Sequence, residues 1–291
     1  MATLTMNRSW RKVLDEIKEF MWNPKTREFM GRTGTSWALI ILFYVVFYAV
    51  LSAIFVLCLY VMLQTIDKNY PKYQDRLPYP GLMIRPNIPS LQITFNGQNT
   101  TWKQYVDGID SALKGYDQST QQITGIDCPF QDYFRQDNIT IPKQACRFTR
   151  DLLGSCSGLN DTSYGYANGM PCVLIKMNRV VKFFPEIIPS LSNTSITIKC
   201  TSKDDNLLGN ITYFPSITNQ SLGSIDLKYY PYYGQQAQPT YTQPFVAVQF
   251  TNLTKNVDHN VQCLVNAANI ATDNDRDKFQ GRVYFTVRSN S

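Results

Sequence analysis

His259 is the only histidine in the 291 residues, so any Ser-His-Asp or Cys-His relay would have to be built around it. It stands in a polar stretch just before an apolar run, beside an Asn-x-Ser/Thr sequon, which is the setting of a surface residue. Glu186 is the only glutamate beyond residue 63, and nothing in the pattern selects a pair of aspartates for glycosidase-type acid–base work. Asp273, Asp275 and Asp277 fall at positions 1, 3 and 5 of an EF-hand-like loop. Position 6 is Lys278, where that loop needs Gly, and position 12 is Tyr284, where it needs a bidentate Glu. The segment therefore reads as a salt-bridged surface turn. No Walker A loop and no dinucleotide fingerprint is present. Cys128, Cys146, Cys156, Cys172, Cys200 and Cys263 are better used as disulfides than as zinc ligands. The expectation is a chain with no catalytic residue, no metal and no cofactor, which works by binding.

The elements that must carry such binding are set by one apolar run. Trp37 to Leu63 holds no charged residue, and at about 1.5 Å per residue it crosses a hydrocarbon core of roughly 30 Å with some tilt. It is too long for the apolar region of a cleaved signal and no small-residue cleavage site follows, so it reads as an uncleaved signal-anchor. Residues 1–36 carry Arg8, Arg11, Lys12, Lys18, Lys25, Arg27 and Arg32 against four acids, which places them in the cytosol by the positive-inside rule. The C-terminal part is then outside. Asn99, Asn138, Asn160, Asn193, Asn210, Asn219 and Asn252 all begin sequons on that side, and Asn7, on the cytosolic side, is expected to stay unmodified. The six external cysteines allow fifteen pairings, and sequence alone does not select one. Short spacings favour 128–146 and 156–172, leaving 200–263 as a long-range bridge. Cys58 lies inside the span as a packing residue. The net charge of +6 is small for this length, and sequons with cysteines argue against a nucleic-acid partner.

Four regions follow: a cytoplasmic segment 1–36, a transmembrane helix 37–63, an extracellular stalk 64–90 and a disulfide-linked, N-glycosylated ectodomain 91–291. Trp10, Val13, Leu14, Ile17, Phe20 and Met21 share one face of a short amphipathic helix that Asn23-Pro24 ends; it would lie on the lipid surface or against a partner. Pro71, Pro78, Pro80, Pro86 and Pro89 favour extended chain in the stalk. Thr101–Tyr116 is the best external helix, with a stripe of Trp102, Tyr105, Val106, Ile109 and Leu113. From Cys172 the pattern turns to β, with runs at Cys172–Met177, Ser195–Cys200, Ile225–Tyr230, Phe245–Phe250, Val261–Val265 and Arg282–Val287. These suggest a sandwich, although the Cys…Trp…Cys signature of true immunoglobulin domains is missing.

Tyr44 and Tyr48 lie four apart on one face of the span, deep in the hydrocarbon region, where an unpaired phenolic hydroxyl costs of order 1 kcal/mol or more. Ala49, Ser52 and Ala53 add a small-residue patch. The expectation is a contact with a helix of a different membrane protein, the alternative being tyrosines that snorkel toward the headgroups.

With those residues in place, the chain resembles the β subunits of the P-type Na,K-ATPase and H,K-ATPase nearly from end to end. The likeness is carried by Trp22-Asn23-Pro24, Phe29-Met30-Gly31-Arg32-Thr33, Phe43-Tyr44-Val45-Val46-Phe47-Tyr48 and Pro71-Lys72-Tyr73-Gln74-Asp75-Arg76. Pro80-Gly81-Leu82, Cys156-Ser157-Gly158, the run Pro171 to Arg179, and Tyr229-Tyr230-Pro231-Tyr232-Tyr233-Gly234 extend it. The resemblance implies a single-pass type II membrane protein at the plasma membrane. Its fold would be one transmembrane helix and an immunoglobulin-like β-sandwich ectodomain with a short helix and three disulfides. It implies the pairs Cys128–Cys146, Cys156–Cys172 and Cys200–Cys263. It also implies a non-catalytic subunit that assembles with an α subunit, supports its folding and delivery, and modulates potassium affinity. Tyr44 and Tyr48 would pack beside α-subunit helices, and Tyr229, Tyr230, Tyr232, Tyr233 and Gly234, with the following Tyr241 to Phe250 stretch, would lie in the region meeting an extracellular α loop. The alternative for that aromatic cluster is sandwich core and a Pro-Tyr turn. The lipid bilayer, a small regulatory single-span subunit and an adhesion partner on neighbouring cells complete the implied partners, and cell adhesion through the ectodomain is the alternative function. The span, the stalk and residues 266–273 look most like the second Na,K-type isoform. Ala237-Gln238-Pro239 and the sequon count resemble the gastric H,K type, and Gln235-Gln236 replaces the Lys-Lys pair usual in the family.

Overall fold

A computed structural model describes residues 10–67, 73, 79–98, 100–137, 141–202, 208–217 and 221–290. They fall into two compact units, residues 1–67 and 68–291. Asn7, Asn99, Asn138 and Asn219, with Pro71 and Pro78 of the expected stalk, lie outside the described residues.

The first unit begins with helix α1 (Trp10–Met21), amphipathic as the spacing of its apolar residues predicts. Leu14, Ile17, Phe20 and Met21 leave their apolar face exposed. Three two-residue strands follow, β1 (Trp22–Asn23), β2 (Glu28–Phe29) and β3 (Arg32–Thr33), paired in that order. The Asn23 side-chain oxygen accepts the Lys25 amide at 3.0 Å, which turns the chain where proline stops the helix. Helix α2 (Gly34–Gln64) then runs 31 residues, about 47 Å at the standard rise, with no buried residue. Trp37 anchors its start: Nε1 donates to the Phe29 carbonyl at 2.9 Å.

In the second unit two sheets face each other. The larger takes the order β5-β13-β12-β7-β10-β9, built from β5 (Gln92–Asn96), β7 (Ser195–Ser202), β9 (Ser216–Ile217), β10 (Leu222–Asp226), β12 (His259–Asn266) and β13 (Arg282–Asn290). The smaller takes the order β4-β6-β11-β8, from β4 (Leu82–Arg85), β6 (Cys172–Met177), β8 (Asn210–Phe214) and β11 (Val246–Thr251). All pairings are antiparallel except β5 with β13. Strict alternation sends Val283, Phe285 and Val287 of β13 and Val261, Cys263 and Val265 of β12 into the core. Phe250 meets Phe285 across the two sheets, and the Cys200 amide donates to the Tyr213 hydroxyl at 2.8 Å. Helices α3 (Lys103–Leu113) and α4 (Gln118–Thr124) pack on the sandwich, α3 through Tyr105, Val106, Ile109 and Leu113.

Several expectations change. The sandwich includes residues before 91, because Leu82–Arg85 pairs with Cys172–Met177 as an edge strand; only an edge tolerates the prolines that flank it. Helix α3 is shorter than Thr101–Tyr116, and Trp102 belongs to the single 3-10 turn ahead of it. The run Ile225–Tyr230 is a strand only to Asp226, where the side chain accepts the Lys228 amide at 2.9 Å and opens a 3-10 turn.

One turn is set by glycine. Gly165 sits at φ +80, and a Cβ there would come within 2.0 Å of the Met170 carbonyl oxygen. Its amide donates to Asp161, whose other oxygen accepts the Ser163 amide and hydroxyl. Gly165→Ala should destabilise the ectodomain by about 2–4 kcal/mol, read as a fall of several degrees in the thermal midpoint of the full chain.

Candidate functional site

Helix periodicity brings Tyr44 and Tyr48 onto one face of α2, their rings stacked with centroids 6.0 Å apart and 22° between planes. Phe43 and Phe47 stack in the same way one residue earlier, and each meets its neighbouring tyrosine edge to face. The four rings form one continuous aromatic surface. Tyr44 is 50% and Tyr48 57% exposed, so the described residues of the first unit leave this surface uncovered. Cys58, on the same helix, is a free and exposed thiol.

The ectodomain aromatic segment behaves differently. Tyr229, Tyr230, Tyr232 and Tyr233 are all buried within the ectodomain, and so is Gly234. Tyr229 packs edge to face on Phe148, and burial pushes its hydroxyl well above the ordinary tyrosine range, as it does for Tyr230. Tyr232 packs on Tyr241 at 4.7 Å, under the guanidinium of Arg179. Tyr233 accepts the Gln136 amide at 2.6 Å, and its ring carries the Lys143 ammonium at 4.7 Å. These side chains pack within the chain, as the alternative of sandwich core and a Pro-Tyr turn has it. The exposed residues of the segment are Gln235, Gln236, Pro239 and Thr240.

Three disulfides are present, Cys128–Cys146, Cys156–Cys172 and Cys200–Cys263. The last joins neighbouring strands of one sheet, where Cys200 opposes Cys263 in register, whereas the immunoglobulin bridge links two sheets. Asn160, Asn193, Asn210 and Asn252 are all exposed, as an acceptor for a bulky glycan must be.

His259 corrects the surface reading. It is 1% exposed, because it continues the inward series Val261, Cys263, Val265 of β12, and its Nε2 lies 3.0 Å from the Thr254 carbonyl. A polar neighbourhood in sequence hid a period-2 position. The acidic stretch 273–277 is a turn held by side-chain caps, with no ion pair to its aspartates among the described residues. Asn274 accepts the Arg276 amide, Asp277 accepts the Phe279 amide, and Arg282 donates to the Asn274 carbonyl at 2.7 Å. Among the described residues no group of three or more His, Cys, Asp or Glu converges.

The family model for the sodium/potassium ATPase beta chain matches residues 7–285. The chain is 59% identical to sodium/potassium-transporting ATPase subunit beta-2 of Rhinella marina, over 99% of each chain. It is 50% identical to the subunit of the same name from Homo sapiens, over 97% of each chain. It is 41% identical to human protein ATP1B4, covering 97% of this chain and 77% of that one.

Proposed function

The chain belongs to the sodium/potassium ATPase beta chain family, and from that premise we propose how it meets its α subunit and on which sides of the membrane its parts lie. It is a non-catalytic β subunit of the Na,K-ATPase; catalysis resides on the α subunit, with which it associates. Two of the relatives above are named sodium/potassium-transporting ATPase subunit beta-2, which favours a Na,K-type partner over the gastric H,K type.

The observation that carries the proposal is the uncovered aromatic face of α2. Tyr44 and Tyr48 pack against a transmembrane helix of the α subunit, which supplies hydrogen-bond partners for their hydroxyls that lipid tails do not. The buried Tyr229–Gly234 segment contributes as a support that holds Gln235 and Gln236 out toward an extracellular α loop. Residues 1–36 lie in the cytoplasm, with the exposed apolar face of α1 on the inner lipid surface. The ectodomain lies outside the plasma membrane, with glycans on Asn160, Asn193, Asn210 and Asn252 and on the sequons at 99, 138 and 219. In this position the chain supports α folding and delivery and tunes potassium affinity.

Epitope tags test the orientation. A C-terminal tag should stain unpermeabilised cells and an N-terminal tag only permeabilised ones, and peptide N-glycosidase should shorten the apparent mass. The reverse staining would overturn the arrangement.

A further inference from the structure

The ectodomain holds a cleft of about 720 Å³ whose charged lining residues are all cations: Arg85 of β4, Lys114 at the end of α3, Lys176 of β6 and Arg179 just beyond it. That volume lies inside the roughly 300–1,000 Å³ range of small-ligand clefts. Among the described residues no carboxylate lines it. Lys176 opposes Met83 in the β4–β6 ladder, so Arg85, two residues on, is its diagonal neighbour on the same face.

The walls are already built and paired. Gln121 is buried, and its amide donates to the Gly115 carbonyl at 2.7 Å and to the Thr242 hydroxyl at 3.0 Å. The Tyr116 hydroxyl donates to the Gln243 carbonyl at 2.9 Å, and Tyr241 donates to the Tyr229 carbonyl at 3.2 Å. Arg179 is spread over the rings of Tyr232 and Tyr241, with Nε on Gln243 at 3.3 Å. Among the described residues the ammonium groups of Lys176 and Lys114 and the side chains of Asn87, Ser111, Thr120 and Thr240 have no hydrogen-bond or ion-pair partner. Burial, then the charges of Arg85 and Arg179, push Lys176 down to about 8. The cationic form therefore works against folding below that pH, and the penalty fades as pH rises from there toward the ordinary lysine value. The cleft therefore sets cations without a carboxylate partner among neutral donors and acceptors.

We propose that this cleft binds an acidic sugar, a carboxylate-bearing pyranose of the sialic-acid class at the end of a glycan. Lys176 and Arg85 take the carboxylate in charge-assisted hydrogen bonds, and Asn87, Ser111 and Thr240 meet ring hydroxyls. A phosphate-bearing nucleotide fits less well, because the lining carries no glycine-rich nest of backbone amides.

The test uses the full chain purified in detergent with its α subunit from cells that make no sialic acid. Binding of 3′-sialyllactose, lactose and inorganic sulfate is measured by saturation-transfer NMR and calorimetry. Sialyllactose should bind and lactose should not. Lys176→Gln should weaken sialyllactose about tenfold. That variant should melt no lower than the parent at neutral pH, because it removes a disfavoured charge. Ser111→Tyr, which fills the rim and leaves every cation in place, should also abolish binding. Raising pH from about 7 to about 9 should weaken binding as Lys176 loses its proton among Arg85, Arg179, Lys114, Tyr116 and Tyr241. Equal binding of lactose and sialyllactose, sulfate binding without sialyllactose binding, or no binding of any probe would each overturn the proposal.

Discussion

Tyr44→Leu combined with Tyr48→Leu should lower the amount of α subunit recovered with this chain from mild detergent about tenfold. Interhelical polar contacts in membranes are worth roughly 0.6 kcal/mol each on average and up to about 1.7. Two tyrosines with stacked rings on one exposed face should then contribute about 1.4 kcal/mol together, which is the stated factor. Leucine keeps the helix propensity and the hydropathy of α2, so insertion of the 31-residue helix should be unaffected. The paired substitution to Phe separates the two contributions. It keeps the aromatic surface shared with Phe43 and Phe47 and removes only the hydroxyls. Recovery with Phe at the parent level would assign the contact to ring packing. Recovery with Leu at the parent level would remove the span from the interface.

Cys200→Ala with Cys263→Ala should leave most of the chain inside the cell. The two sulfurs close a loop with a sequence separation of 63, and chain entropy assigns that closure about 4 kcal/mol. Whole domains are stable by about 5–15 kcal/mol, so the loss is a large fraction of the total. Both cysteines are buried at a register pair of the central β7–β12 ladder, so the change also removes packing inside the sheet. Cys128–Cys146 closes a separation of only 18, worth about 3 kcal/mol on the same scale, and its removal should be milder. Surface biotinylation of the two double variants beside Cys58→Ala gives the order. Cys58 is unpaired, so its variant should match the parent. Equal surface levels for all three would contradict this ranking.

Long elements with one strong period were legible in the chain. The uncharged run fixed α2 to within three residues at its start and one at its end, and short runs rich in β-branched and aromatic residues located β6, β7, β11, β12 and β13. What escaped detection was short or depended on distant partners. Strand β5 pairs in parallel with β13, from Gln92 against Thr286, and no local pattern announces a partner so far along the chain. Strand β4 is four residues long and sits among prolines that read as extended stalk. Helix α4, with the sequence QSTQQIT, has almost no apolar residue to mark a face; it is held by Gln121, whose partners lie across the fold. The Tyr229–Gly234 cluster was found as a cluster, but whether aromatic rings point inward or outward is a tertiary property that the segment alone does not encode. The four cations of the cleft are likewise scattered over 95 positions, from Arg85 to Arg179, and only the β4–β6 pairing and the packing of α3 bring them to one place.

The central claim is that this chain serves as the non-catalytic β subunit of a Na,K-type pump. Its most direct test is co-expression with a Na,K-type α subunit in cells lacking a β subunit of their own, read out as ouabain-sensitive rubidium uptake. The expected result is α subunit at the surface and uptake well above that of cells given α alone, with the Tyr44/Tyr48 double variant reducing both. Uptake no higher than with α alone, although the chain itself reaches the surface, would contradict the claim.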